Sequence, residues 1–258
     1  MSFGALALLL LFEALYVRAI LVLRGRGWRV PVRQQLAWHF GMALQAVALL
    51  GPLDAQAQDF LSAHMAQHLL LADIAVPFLL AGVRTPVLVF LPPRPVLVVL
   101  ARRTALRRAF RFLRGPLVAV PVYLVVLYAW HLDFAFEAAL RHPVVHALQH
   151  FSFVAIGVLI WWPALEPQRA RLRGELWKIP YIFATRMISM FLGMGLIFSS
   201  SPWYAGVYGS DSLSDQRSAG GIMTSVDVAI MVAALAYFFW RAGADHDAAE
   251  RRAAATVT

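Results

Sequence analysis

Residues 62–68, SAHMAQH, open a long apolar run. Histidines four residues apart lie on one face of a helix, with β-carbons roughly 5–6 Å apart, so His64 and His68 point toward the same neighbour. The spacing recurs downstream, where His146 and His150 also open an apolar run. Because imidazole is costly to place in lipid without a partner, polar residues inside spans indicate a functional site. Two such pairs predict a shared metal or haem site.

The composition is that of an integral membrane protein. Of 258 residues, 60% are hydrophobic and 14% charged, whereas a soluble domain carries about 25% charged residues. We interpret residues 1–258 as a single membrane domain, with an Ala-rich, charged and disordered tail over about 243–258. Glu13 interrupts the first apolar stretch, which lacks a basic leader, so we expect a retained span and not a signal peptide. The absence of cysteine from the sequence excludes disulfides and thiolate metal sites.

Seven apolar segments predict an all-α membrane protein with seven transmembrane helices. They cover about residues 3–23, 34–53, 61–82, 116–134, 143–163, 177–199 and 219–240. Of the bases in the connections and tail, 19 fall on one side of this arrangement and 2 on the other. Since bases concentrate on the cytoplasmic side, we predict the N-terminus outside and the C-terminus in the cytoplasm.

The connection between the third and fourth spans is long and basic. Arg103, Arg107 and Arg111 form a stripe at helical spacing, with Leu106 and Phe110 on another face. This pattern is typical of an amphipathic helix lying on an anionic leaflet. We therefore predict a basic interfacial helix that binds anionic lipid. The net charge of +9 is attributed to membrane topology, and no nucleic-acid binding is expected.

The predicted topology puts both histidine pairs at one depth. The third and fifth spans run inward, so the pairs lie in their outer turns, near the extracytoplasmic face. Asp215, Met223 and Met194 are predicted on the same side. Imidazole with thioether suits copper, particularly Cu(I), whereas zinc more often takes carboxylate or thiolate beside histidine. The candidate metal ligands are therefore His64, His68, His146 and His150, followed by Met194, Met223 and Asp215.

Several other ionisable residues fall within the predicted spans. Pairing with one another is the way such charges are tolerated in lipid. These residues are Glu13, Arg18, Asp73, Arg186 and Asp227. His39, near the cytoplasmic end of the second span, is expected to be structural, and His131 and His142 to be interfacial.

Several motifs together point to a family. They are HMxQHLL at 64–70, HPxxHxxxH at 142–150, WWP at 161–163, FLGM at 191–194, PxY at 202–204, and DQ at 215–216 followed by GGxM at 220–223. This combination resembles the CtaG family of multi-span cytochrome c oxidase (caa-type) assembly factors, from the second span to the seventh. Arg217 and Thr224 depart from the family pattern.

The resemblance implies a multi-pass protein of the bacterial plasma (inner) membrane. Such a protein is needed to form active haem-copper oxidase, and handling of copper is the role that it suggests. The implied partners are haem-copper oxidase subunits or other copper chaperones. Binding and transfer, not catalysis, is the expected activity.

Two alternative functions remain open at this point. Zinc on three histidines, with Asp215 or an activated water, would give a membrane-embedded zinc-dependent hydrolase. A histidine from each pair as axial ligands would give a haem-binding carrier. A retinal protein is excluded, because the only lysine, Lys178, opens the sixth span and none lies in the seventh.

Overall fold

The computed structural model describes residues 3–165 and 176–255, and within them every regular element is a helix. The all-α prediction is thereby confirmed. The elements are α1 (Phe3–Gly25), α2 (Val32–Leu50), α3 (Pro52–Asp59), α4 (Leu61–Leu69), a π turn (Leu70–Ile74), α5 (Ala75–Gly82), α6 (Val87–Phe90), α7 (Arg94–Arg102), α8 (Thr104–Leu113), α9 (Pro116–Trp130), α10 (Asp133–Arg141), α11 (Pro143–Leu165), α12 (Lys178–Phe198), α13 (Ala205–Tyr208) and α14 (Leu213–Ala255).

The described helices include five that are long and apolar enough to cross a membrane. They are α1, the continuous stretch Leu61–Gly82, α11, α12 and the Leu213–Ala244 part of α14. Two bent pairs, α2 with α3 at 43° and α8 with α9 at 79°, pass the same test together. The chain is a membrane protein with five such helices, or seven if each bent pair is one span. Each of the seven predicted segments contains helix.

The last helix is longer than the sequence predicts. It begins at Leu213 instead of near residue 219, and it continues to Ala255, where a disordered tail is expected. The tail is rich in alanine and also contains arginine and glutamate, all strong helix formers, so charge alone does not end the helix. The correction holds to Ala255. The last three residues and the basic residues Arg169, Arg171 and Arg173 lie outside the described part of the chain.

A separate helix, α8, lies where the basic amphipathic helix is predicted. Its side chains are exposed, including Arg107 and Arg111, and Arg103 directly precedes it. It meets α9 at 79°, so the two helices do not form one straight rod. Phe110 packs edge-on against Trp162 of α11, with the ring centroids 5.1 Å apart.

The backbone of α11 approaches the π turn very closely. A β-carbon at Gly157 would lie 2.6 Å from the carbonyl oxygen of Ala72, which only glycine permits. Packing of α11 against the continuous stretch Leu61–Gly82 is close at the π turn and along α5, and looser toward α4. The helices therefore separate at the α4 end, where the histidine pairs lie. Single π turns within α-helices occur frequently at functional sites.

Three of the five ionisable residues that were expected to pair with one another do so. Arg186 Nη1 lies 2.6 Å from an Asp73 carboxylate oxygen and 3.0 Å from one of Asp227. Glu13 instead lies beside His39, whose Nδ1 is 2.7 Å from a Glu13 carboxylate oxygen, and Arg18 donates to the backbone carbonyl of Phe90. The predicted pairing is confirmed for Arg186, Asp73 and Asp227. His39 ties α2 to α1, in line with the structural role expected for it.

Candidate metal centre

Four histidine rings meet between α4 and α11. Across the two helices, the ring centroids of His64 and His146 are 5.4 Å apart and those of His68 and His150 are 5.3 Å apart. Within each pair the separations are 4.3 and 4.2 Å. Ring nitrogens of His64, His68 and His146 all lie within 4.8 Å of one another. The structure brings together the two pairs that the sequence singles out.

The cluster is rich in buried nitrogen atoms that lack partners. Among the described residues, neither ring nitrogen of His64 or of His68 has a hydrogen-bond partner, and the same holds for Nε2 of His146 and of His150. Buried polar atoms are normally paired, and each one left unpaired costs about 1–3 kcal/mol. Histidines with a purely structural role would face separate carbonyls or carboxylates. These rings instead face one another.

The donor set fits a transition-metal ion. Neutral imidazole suits zinc, copper, iron and nickel. Metal–nitrogen bonds of about 2.0–2.1 Å in a tetrahedral site place nitrogens roughly 3.3 Å apart. The ring nitrogens here lie within 4.8 Å of one another, so small rotations of the rings would bring them to that distance. The group of mutually close ligand atoms contains three histidines and, within the described residues, no carboxylate.

Asp215 lies at the N-terminus of α4, beside Leu61 and Ser62, and its role as a ligand stays a prediction. Its Oδ2 accepts hydrogen bonds from the backbone nitrogens of Leu61, at 2.6 Å, and Ser62, at 3.3 Å, and its Oδ1 accepts one from the Ser62 hydroxyl. The residue preceding α4, Phe60, has no side chain able to cap the helix. Asp215 therefore caps α4 from α14, where a negative charge is favourable, and it positions the helix that carries the first pair.

Gln67 fixes the same helix from another side. Its amide nitrogen donates to the carbonyl of Ala48, at 2.8 Å, and to a carboxylate oxygen of Asp54, at 3.0 Å. These bonds join α4 to α2 and α3. Since Gln67 lies between the two histidines of its motif in the sequence, they set the rotation of the helix and hence the direction of both rings.

Of the two predicted methionine ligands, one lies in apolar surroundings. Met223 is buried in the core cluster that includes Leu192 and Leu196, and Met194 is half-buried on α12. Burial in a core is the ordinary role of methionine. Their status as ligands stays a prediction.

Met65 is the methionine that contacts an imidazole. Its Sδ lies 3.4 Å from Nε2 of His131, a residue directly after α9, and both side chains are buried. The other ring nitrogen of His131, Nδ1, lies 2.7 Å from the carbonyl oxygen of Leu127. Sequence reasoning missed this pair because Met65 follows a core pattern and His131 is isolated in the chain.

Tyr204 holds this region in place. Its hydroxyl donates to the backbone carbonyl of His131, at 2.9 Å, and its ring stacks on Phe136 at 3.9 Å. Burial raises the pKa of Tyr204, with a smaller contribution from the charge of Asp133, so the hydroxyl stays protonated and remains a donor. The ring of Phe136 lies in turn 4.9 Å from that of His64, which links the connection after α12 to the cluster.

Comparisons with known proteins agree with the motifs. The model of the family described as cytochrome c oxidase caa3 assembly factor (Caa3_CtaG) matches residues 14–244. Two curated relatives, Uncharacterized protein Mb0105 of Mycobacterium bovis and Uncharacterized protein MT0111 of Mycobacterium tuberculosis, are each 27% identical over 240 residues. Each match covers 85% of this chain and 36% of the relative, so the chain spans about a third of the length of these relatives.

No solved structure matches the chain. The family match, by contrast, includes both histidine pairs, the π turn and α12, and it confirms the resemblance that the motifs indicate. The chain belongs to the family of cytochrome c oxidase caa3 assembly factors.

Proposed function

We propose that this protein binds copper at the four-histidine cluster and delivers it during assembly of a haem-copper oxidase. The observation that carries the proposal is the set of six buried, unpartnered ring nitrogens on His64, His68, His146 and His150. In a membrane protein such atoms are expensive, and a bound cation would take one nitrogen from each ring, four of the six. Membership of an oxidase assembly family makes copper the ion of choice among those that imidazole suits.

Unequal burial suits delivery of a cargo. His64 and His68 are buried, whereas His146 and His150 are half-buried, so the second pair lies nearer the protein surface than the first. Ring nitrogens spread to 4.8 Å also leave the site short of closed tetrahedral geometry. A carrier must release its ion, so a site that closes only around the cargo favours transfer over storage.

The charge pattern of the connections supports an extracytoplasmic location for the cluster, in a bacterial plasma membrane. Haem-copper oxidase subunits or other copper chaperones are the proposed partners. Reporter fusions at residues 84–115 are expected to be cytoplasmic, and fusions at residues 200–218 outside. Finding both loops on one side would remove the common face that the two pairs require.

The decisive experiment is Cu(I) binding to the purified full chain under reducing conditions, with metal analysis and an absorption spectrum. We expect one tightly bound Cu(I) at the cluster and none in the variant that combines His68→Ala with His150→Ala. His39→Gln, outside the cluster, is the matched control. Zinc retained with peptidase or esterase activity would support the hydrolase instead. A Soret band in the purified protein would support the haem carrier.

The same variants test the role in assembly. Because the histidines would act on one ion, the combined substitution of His68 and His150 is expected to impair oxidase assembly by much less than the sum of the single effects. Oxidase activity per assembled haem separates failure of copper insertion from failure of expression. Strictly additive defects would contradict a single shared site.

A further inference from the structure

Met65 and His131 form a buried contact next to the histidine cluster. Met65 is 1% exposed and His131 7% exposed, and the Sδ and Nε2 atoms are 3.4 Å apart. Met65 follows His64 directly in α4, and His131 enters from the end of α9. Two side chains from separate elements thus present their heteroatoms to each other inside the protein.

The hydrogen bond of His131 determines which atoms face each other. A carbonyl oxygen can only accept, so the 2.7 Å contact with Leu127 requires the proton on Nδ1. In the neutral ring, Nε2 then carries a lone pair. That lone pair faces a thioether sulfur, which also has only lone pairs to offer. A nitrogen lone pair and a thioether sulfur form no hydrogen bond with each other, whereas a proton or a cation between them would make the contact attractive.

A proton would make His131 an imidazolium in apolar surroundings, which is unfavourable without a nearby anion. The other ring contacts of His131 are with Phe136 and Phe153, both at 6.3 Å between centroids. A soft cation fits better. With metal–nitrogen and metal–sulfur bonds of about 2.0 and 2.3 Å, atoms 3.4 Å apart subtend roughly 105° at the ion, close to the tetrahedral angle.

We propose that Met65 Sδ and His131 Nε2 are a soft ligand pair that holds Cu(I) at a second position beside the histidine cluster. The inference rests on the proposed function in that it takes copper as the cargo. Thioether ligands select Cu(I) over harder ions, so this pair would confer on the protein a preference that imidazole alone does not. The ion remains Cu(I) throughout, and no electron is transferred.

The position of the pair makes it a neighbour of the cluster. Phe136 contacts the ring of His64 at 4.9 Å and Phe153 that of His68 at 4.3 Å, and both phenyl rings also border His131. Met65 and His68 are three residues apart on one helical face. His68 is therefore the histidine that can complete the coordination in either position, and passing an ion requires exchange of its other ligands only.

X-ray absorption at the copper K-edge tests the pair directly. The full chain in detergent is loaded with excess Cu(I), so that this second position is filled in addition to the cluster, and the copper neighbours are counted. We expect a sulfur neighbour at about 2.3 Å in the unmodified protein and in Met223→Leu, a buried methionine of the same core cluster. Met65→Leu should abolish it. His131→Asn, which keeps a donor for the Leu127 carbonyl but lacks Nε2, should abolish it as well.

Competition with a Cu(I) chelator gives a second measurement. Loss of either ligand should weaken Cu(I) binding at least about tenfold, with Zn²⁺ binding little changed. If Met65→Leu does not fold, selenomethionine labelling of the unmodified protein replaces it, and a selenium neighbour of copper is then required. Cu(I) bound with nitrogen neighbours only would overturn this inference and leave the proposed function standing. No Cu(I) binding at all would overturn both.

Discussion

Arg186 and His64 are both fully buried, yet they lie in opposite kinds of surroundings. Arg186 meets two carboxylates, from the π turn and from α14, and its charge is compensated inside the helices. His64 and the rings around it meet mainly one another, and their buried nitrogens make no hydrogen bond within the described residues. The first group has its ion pairs within the chain, although Nε and Nη2 of Arg186 and Oδ2 of Asp227 make no hydrogen bond in the described part of it. The second has no ion pair among the described residues, and the proposed copper would supply its partner.

The difference separates a structural group from a binding site without reference to residue type. Ionisable residues inside spans indicate function in general, and by that rule Asp73 and His68 would rank equally. The two residues differ in their partners: Asp73 forms an ion pair with Arg186, whereas the ring nitrogens of His68 have no hydrogen-bond partner among the described residues. The arginine and its carboxylates tie three elements together, whereas the histidines keep unshared lone pairs in a place where that is costly.

The largest predicted effect concerns the arginine. Arg186→Met leaves the carboxylates of Asp73 and Asp227 buried without a counter-charge, which costs about 3–5 kcal/mol. We expect a large fall in the Tm of the purified protein in detergent. His68→Phe, matched in size and lying beside Phe153, should leave the Tm of the metal-free protein unchanged, because it removes no bond.

Addition of Cu(I) should then separate the unmodified protein from His68→Phe, whose Tm values are expected to be equal without metal. The ion should raise the Tm of the unmodified protein by mass action and do so much less in His68→Phe. A metal-free His68→Phe protein as unstable as Arg186→Met would show that the histidines are structural after all, and the distinction between the two groups would be lost.

The second prediction tests how the helices bring the two pairs together. In Gly157→Ala the new β-carbon would lie 2.6 Å from the carbonyl oxygen of Ala72, so α11 must move away from the π turn. Overpacking of this kind costs about 1–3 kcal/mol, and Cu(I) affinity should fall because the pairs separate. Both are measured on one preparation, by thermal unfolding and chelator competition.

Gly221→Ala is the matched control for this substitution. It is also a helical glycine, in α14, and nothing among the described residues lies within 4 Å of the position that its β-carbon would take. The better helix propensity of alanine, up to about 1 kcal/mol, should make this variant neutral or slightly more stable. Equal losses in the two variants would mean that close approach at Gly157 does not set the site.

Periodic patterns predict the parts of this protein that depend on neighbours in the chain. Histidines four apart fix a shared helical face, and apolar length gives the helices, so the meeting of His64 with His146 follows once two spans run in the same direction. The contact of Met65 with His131 depends on how α9 ends against α4. No local sequence pattern predicts this contact, and a single histidine at the end of a span has no feature that distinguishes it from other such histidines.

Asp215 illustrates the same limit in a different way. Its residue type and its predicted side of the membrane suit a ligand, and sequence analysis ranks it as one. In the structure it caps α4 across a distance of more than a hundred residues in the chain. The need arises because Phe60 cannot cap the helix, and that need becomes visible only when the exact first residue of α4 is known. Element ends are what sequence patterns fix least well.

The third prediction separates capping from ligation at this residue. Asp215→Ala removes the cap of α4 and should cost about 1 kcal/mol of stability, with a modest loss of Cu(I) affinity as the first turn loosens. Asp215→Asn should restore most of both, since asparagine caps as well as aspartate. A carboxylate that bound the ion itself would not be replaced by an amide. Cu(I) affinity that stays low in Asp215→Asn would therefore make Asp215 a ligand.

The smallest effect is expected at a third polar group, the exposed arginines of α8. They differ from both buried groups because they lie at the surface, where water and, by our prediction, lipid headgroups reach them. Arg107→Gln should weaken the retention of anionic lipid by at most about 1 kcal/mol, or roughly fivefold, and less at high salt. Anionic lipid bound per protein, after purification from mixed lipid, measures this. Arg217→Gln, predicted on the opposite side of the membrane, is the control and should have no such effect. Stability and Cu(I) affinity should stay unchanged in both variants, because α8 packs on the bundle mainly through apolar contacts such as that of Phe110 with Trp162. A loss of Cu(I) in Arg107→Gln would connect α8 to the metal centre, and the separation of the surface charges from the histidine cluster would fail.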